Sequence, residues 1–152
     1  MSRGRAVQRD NPTYKIVTVS KVYKDANKSR GSEWSDCENW QLPVQQPDGI
    51  EIGDWIGTGK YSDVFVGYKN HQKVALKVMK PVRPLKYNRE AKILMNLKDG
   101  PNIIQLEGIV ENPDTHQYTF VFEYAPNCDF SSLLQSFTEK EVKYYLYQLL
   151  RA

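Results

Sequence analysis

A glycine-rich turn, a lysine in a strand-like run and a glutamate in a helix-like run are the residues of this sequence whose types and spacing could do chemistry. The turn Gly57-Thr58-Gly59-Lys60-Tyr61-Ser62 lies between Ile50, Ile52 and Ile56 on one side and Val64-Phe65-Val66 on the other. Glycines at such a turn let backbone N–H groups approach a phosphate with no Cβ in the way, although a plain hairpin would use them too. Lys77 follows 18 residues after Gly59, in the run Val74-Ala75-Leu76-Lys77-Val78. Alternation there puts Lys77 on the face opposite Val74, Leu76 and Val78. Glu90 lies in the next helical segment, and a glutamate beside a lysine fixes an otherwise floppy ammonium. Singly, these are a turn, a surface lysine and a solvated glutamate. In this order and spacing they point to a grip on nucleotide phosphates.

The elements that must position them are legible in the pattern. Strands are predicted around Ile50–Ile56, Val64–Val66 and Val74–Val78. A helix is predicted over Tyr87–Leu97, after the breaks at Pro81 and Pro84 and before Gly100-Pro101. Two more strands follow at Ile103–Val110 and Tyr118–Glu123, joined by Asn112-Pro113-Asp114. Pro126 and Asn127 mark a linker. A last helix starts near Glu139, with Thr138 as N-cap, Glu141 at the capping-box position, and Val142, Tyr145, Leu146, Leu149 and Leu150 on one stripe that is expected to be exposed. The fold class is α+β: a five-stranded antiparallel sheet with one helix inserted after its third strand, then a connector and a helix. Three regions are expected: a mobile arm over 1–47, a nucleotide-binding lobe over 48–125, and a linker with the start of a further lobe over 126–152.

Composition narrows the class. With 152 residues, 40% hydrophobic, and a mean hydropathy of −0.62, the chain makes at most one soluble globular domain. No apolar stretch approaches the roughly 18 residues of a membrane span, and no secretory apolar region follows the N-terminus, so an intracellular location in cytoplasm or nucleus is expected. Cys37 and Cys128 fit neither a disulfide framework nor a zinc site and read as reduced thiols. His71 and His116 read as solvated.

The net charge of +3 is unevenly spread: residues 1–30 carry eight Lys/Arg and two Asp/Glu, and residues 31–47 carry three acids and no base. From 73 to 92 the chain holds Lys73, Lys77, Lys80, Arg83, Lys86, Arg89 and Lys92 against Glu90 alone. Such a belt attracts a phosphate or an acidic partner. No interleaved aromatics or nucleic-acid-binding motif accompany it, so nucleic acid is not expected as a partner.

The stretches Gly57-Thr58-Gly59-Lys60-Tyr61-Ser62-Asp63-Val64-Phe65, Lys80-Pro81-Val82, Arg89-Glu90-Ala91-Lys92-Ile93-Leu94, Gly100-Pro101-Asn102-Ile103-Ile104, Val121-Phe122-Glu123 and Asp129-Phe130 resemble the small lobe of a eukaryotic protein kinase, in detail that of the casein kinase II catalytic (alpha) subunit family. The order of Gly-rich loop, Val-Ala-Leu-Lys and helix Glu is the kinase signature, with Ser62 where most kinases have a third glycine. The resemblance implies a serine/threonine kinase using ATP with Mg2+ on acidic protein substrates. It implies that Ile56, Gly57, Thr58, Gly59, Lys60, Tyr61, Ser62, Asp63, Val64, Ala75 and Lys77 bind ATP, with Ile56 and Val64 over the adenine and Glu90 orienting Lys77. Phe122 would be the gatekeeper, and Glu123, Tyr124 and Ala125 the hinge. Arg83, Lys86 and Arg89 stand where the family's lysine run selects acidic substrates, thinned here by Pro84, Leu85, Tyr87 and Asn88; a solvated helix start explains them as well. Phe65, Val110 and Val121 correspond to the face that binds the regulatory (beta) subunit.

Phosphoryl transfer also needs a catalytic-loop Asp and metal-holding Asn and Asp. The sequence contains no His-Arg-Asp, Asp-Phe-Gly or Ala-Pro-Glu motif, and Asp129-Phe130 is followed by Ser131. No catalytic base and no metal ligand are therefore assigned, and the resemblance implies a truncated N-terminal part, inactive alone. A non-catalytic nucleotide-binding module and an interaction module for the regulatory subunit remain as alternative readings.

Overall fold

The computed structural model of the chain describes residue 25, residues 28–126 and residues 130–152. Asn127, Cys128 and Asp129, to which the linker, thiol and Asp-Phe readings refer, lie outside the described residues. The chain divides between Ser35 and Asp36 into two units. In the first, a 3-10 turn over Lys28–Arg30 precedes helix α1 (Ser32–Ser35), and the Arg30 guanidinium lies 4.3 Å from the Trp34 ring.

The second unit is built on one sheet. Its strands are β1 (Val44–Gln45), β2 (Ile50–Thr58), β3 (Ser62–Lys69), β4 (Gln72–Met79), β5 (Leu106–Glu111) and β6 (Tyr118–Glu123), in the spatial order β1-β5-β6-β4-β3-β2. All neighbours are antiparallel except β1 and β5, which pair parallel. Helix α2 (Pro84–Asn96) joins β4 to β5, and α3 (Phe130–Leu134) and α4 (Glu139–Arg151) follow the sheet. The β3–β4 hairpin turns at Asn70 and His71, both at positive φ (49° and 65°), as a two-residue turn matched to strand twist requires. His71 is thus a turn residue.

The expected sheet and the start of its inserted helix need correcting. The sheet has six strands and is mixed, because Val44 and Gln45 pair with Ile109 and Val110. Two residues leave no alternation to read, and their partners lie more than sixty residues away in the sequence. Helix α2 begins at Pro84 rather than at Tyr87. Proline fits the first turn of a helix, where its missing N–H has no intrahelical acceptor in any case.

Alternation along the strands splits the core between the two faces of the sheet. On the α2 face, Met79, Ala91, Ile109, Phe120 and Phe122 are buried together, with Trp40, Leu42, Tyr87 and Leu94 packed around them. On the other face, Val74, Leu76, Val110 and Val121 are buried, flanked by Ile50 and Phe65. Gly67 allows this second packing: a Cβ there would lie 2.3 Å from Leu76 Cδ1 and 2.7 Å from the Glu51 carbonyl oxygen.

Residues 36–45, expected within a mobile arm, are docked against α2 and β5. The buried Asn88 side-chain amide donates to the carbonyls of Cys37 and Trp40, both at 3.1 Å. The buried Lys92 Nζ donates to the Asp36 carbonyl at 2.7 Å and lies 5.3 Å from the Trp40 ring centroid. Asp36 turns the strap by accepting from the backbone N–H groups of Glu38 and Asn39; these bonds, Asn39's first, hold its carboxyl below the usual value. Asn88→Ala strips both carbonyls of a buried donor. It should lower unfolding stability by about 1–3 kcal/mol, read as a shifted urea midpoint at unchanged slope; a shift of under about 0.5 kcal/mol would mean that the strap is held by its apolar contacts alone.

At α4 the Thr138 hydroxyl accepts from the Glu141 N–H (3.3 Å) and the Glu141 carboxylate accepts from the Thr138 N–H (2.8 Å). That is the capping box read from the sequence. The stripe of Val142, Tyr145, Leu146, Leu149 and Leu150 is exposed, Leu150 to 85%. Asn102 ties the helix to the turn before β5 through the Gln148 carbonyl at 3.0 Å. Among the described residues no helix is long and apolar enough to cross a membrane.

Candidate functional site

Between the α2 face of the sheet and α2 lies a cavity of about 610 Å³. Val64 from β3, Ala75 from β4, Phe122 from β6, Ile93 and Leu94 from α2, and Ile104 from the loop before β5 make its lining largely apolar. The register brings them together: Val64 pairs with Lys77 and Ala75 with Phe122, so all four side chains emerge on the same face. Ala75 is the smallest of the four.

Lys77 and Glu90 meet in this cavity as an ion pair between Lys77 Nζ and Glu90 Oε1. Their side chains keep 26% and 34% of their surface, so both remain reachable by a ligand. One partner comes from the middle of β4 and the other from the second turn of α2. The strap bonds of Asn88 and Lys92 hold that helix on the side facing away from the cavity.

The glycine turn closes β2 onto β3. Gly59 N donates to the Ser62 carbonyl at 2.8 Å, and the Thr58 hydroxyl donates to Asp63 Oδ1. That bond, with Lys80 beside it, holds the Asp63 carboxyl below its usual value. A Cβ on Gly57 would meet nothing within 4 Å, and one on Gly59 would meet only Ser62, at 3.7 Å. Neither glycine sits at positive φ, so neither the packing nor the backbone of the chain demands them. Tyr61 is 40% exposed, with Lys60 Nζ and Lys86 Nζ at 5.3 and 5.5 Å from its ring centroid.

The other site residues named from the sequence fall as follows. Ile56 is half exposed on β2 and outside the cavity lining. Ser62 is buried. Glu123 pairs with Gln105, its carboxylate accepting the Gln105 N–H at 2.9 Å and its own N–H donating to the Gln105 carbonyl at 3.1 Å. Tyr124 carries Lys73 Nζ 4.0 Å from its ring centroid, and Ala125 is exposed. Lys86 and Arg89 line the cavity with Lys77, whereas Arg83 stands at the N-cap position of α2, with no side-chain capping bond, outside it. Phe65 keeps part of its surface, but Val110 (5% exposed) and Val121 (0%) are buried and present no surface to a partner. His116, read as solvated, is exposed yet meets Glu111 at 2.8 Å through Nδ1.

Sequence reasoning missed Ile93, Leu94 and Ile104 as lining residues, and Lys80 as a contact of the turn. The three apolar residues carry no signal separating them from core. Lys80 has one in hindsight: it follows Lys77 by three residues, where the strand ends beside the turn. Among the described residues no group of three or more His, Cys, Asp or Glu could hold a metal ion.

A comparison with protein families matches the protein kinase domain over residues 50–152, more than half of the chain. The block β2–β6, with α2 between its third and fourth strands, is the small-lobe arrangement of that family, and β1 adds a strand at its edge. A lysine–glutamate pair in an apolar cavity, under a turn whose glycines serve no contact within the chain, agrees with the match, and the chain belongs to the protein kinase domain family.

Proposed function

We propose that residues 48–125 are the ATP-gripping small lobe of a serine/threonine kinase of the casein kinase II type. The observation that carries this reading is the Lys77–Glu90 pair inside the cavity walled by Val64, Ala75 and Phe122. An adenine ring would sit in the apolar gap over Ala75, and the resemblance gives the ring edge to the backbone of Glu123 to Ala125, which follows Phe122 in the chain. The α- and β-phosphates then fall between Lys77 and the open side of Gly57 and Gly59, where the ammonium and those N–H groups of the turn that are not, like Gly59's, given to Ser62 complement them. Glu90 removes the rotamer freedom of Lys77 in advance.

Mg2+ would come with the phosphates, since the described residues offer no cluster of their own to hold it. Neither a catalytic-loop Asp nor the metal-holding motifs occur in these 152 residues, and no transfer step is assigned to them. Lys86 and Arg89 on the cavity rim give an acidic protein substrate its cationic contacts in the complete reaction.

The test is thermal denaturation of the chain with and without MgATP. At a hundred times Kd, binding to the native state adds about 2.7 kcal/mol, a clear rise in melting temperature. Ala75→Phe fills the gap and should abolish that rise while the unliganded melt stays cooperative. An unmodified chain whose melt does not respond to millimolar MgATP would overturn the reading.

A further inference from the structure

Lys80 follows β4 directly and reaches across to the glycine turn. Its Nζ lies 3.0 Å from Thr58 Oγ1, 2.9 Å from the Gly59 carbonyl oxygen and 3.1 Å from Asp63 Oδ1. Its backbone N–H donates to the Tyr61 carbonyl at 2.9 Å. An ammonium has three donors and no acceptor, and here all three are engaged: on the last residue of β2, on the turn itself and on the second residue of β3. Thr58 and Asp63 are also joined to each other through the Thr58 hydroxyl.

We propose that Lys80 is a positioning residue, which cross-links the two limbs of the glycine turn and holds its backbone N–H groups where nucleotide phosphates approach. This rests on the nucleotide-binding reading of the site. Two lysines three residues apart thus divide the work. Lys77, paired to one carboxylate in the cavity, keeps donors for a phosphate. Lys80, with its donors engaged on the turn and its charge met by Asp63, shapes the cradle and stays out of it. Without its ammonium the turn retains the Gly59–Ser62 bond and the Lys80 N–H bond to the Tyr61 carbonyl but loses the cross-link between its two limbs, and the phosphates must then order a looser loop on binding.

The measurement is MgATP and adenosine affinity for the chain and its variants. Lys80→Met and Asp63→Asn should each weaken MgATP binding about fivefold to tenfold, the scale of one charge-assisted hydrogen bond, and leave adenosine binding unchanged. The double variant should be no weaker than either single one, because both act on one network. Lys80→Arg, with donors enough to span the same groups, should recover most of the loss.

A phosphate-binding Lys80 makes the opposite forecast: Asp63→Asn would free the ammonium and tighten MgATP, and that tightening would overturn the proposal. Equal loss of adenosine and MgATP affinity would also overturn it, by showing general damage to the lobe. If the unmodified chain binds no MgATP, the nucleotide reading fails and the clamp is decided without nucleotide. Amide hydrogen exchange at residues 57–62 should then speed up about tenfold in Lys80→Met at an unchanged melting temperature, matching loss of a bond worth about 1.4 kcal/mol; unaltered exchange would refute it.

Discussion

Phe120→Ala should cost the chain a large fraction of its folding stability. The ring is wholly buried, with the Phe122 ring centroid at 6.4 Å and Met79, Ala91 and Ile109 in the same cluster. Truncating a buried phenylalanine costs about 3–5 kcal/mol, through lost transfer energy and the cavity left behind. A domain of this size has about 5–15 kcal/mol in total, so this one ring accounts for a large fraction. The site cannot relax to fill the gap, because β6 is paired on both edges, with β4 and β5. Phe120 is also the register partner of Lys77, so damage here reaches the cavity directly. Urea denaturation followed by circular dichroism measures the effect. A loss under about 1.5 kcal/mol, the range of a volume-conserving core change, would show that the α2-face cluster is not the main core.

The second large effect concerns binding and should leave stability nearly untouched. Lys77→Met removes the cavity's phosphate-facing ammonium, and MgATP affinity should fall by about tenfold to a hundredfold, the equivalent of about 1.5–3 kcal/mol for a hydrogen bond to a charged group. Glu90→Gln should cost less, because the ammonium remains and only its orientation is loosened. Both side chains keep about a quarter to a third of their surface, and exposed ion pairs contribute only about 0–1 kcal/mol to folding. The melting temperature without nucleotide should therefore barely move in either variant. Adenosine, which carries no phosphate, should bind all three proteins alike. A fall in adenosine affinity matching that for ATP would place Lys77 against the base instead of the phosphates.

How much of this could be read in advance depended on the range of the interaction involved. Gly57, Gly59, Lys77 and Glu90 were legible because each rests on a local pattern, and strand parity alone puts Lys77 on the face away from Val74 and Leu76. The Thr138–Glu141 box was legible for the same reason: both of its partners lie within one helical turn. What could not be read were the contacts made across distance. Nothing near Asn88 or Lys92 shows that their side chains will be satisfied by the carbonyls of Asp36, Cys37 and Trp40, some fifty residues earlier, so the strap looked like part of a polar arm. Val44 and Gln45 are strand only because β5 offers an edge. Val110 and Val121 were given to a partner-binding face by the resemblance alone, and nothing in their local pattern tells such a face from a buried one.

The geometry of β2 has a consequence beyond the cavity. It is one of the two edge strands of the sheet, nine residues long, with Ile52 and Trp55 more than half exposed. A straight edge of that length and composition is a template on which a second chain can polymerise by adding its own strand. Here the register with β3 slips between Ile52 and Trp55 and again between Trp55 and Gly57. Each slip bends the strand and spoils the even spacing of backbone donors and acceptors that an incoming strand would need. The irregularity that leads the chain into the glycine turn thus also guards the sheet against joining edge to edge with another copy of itself.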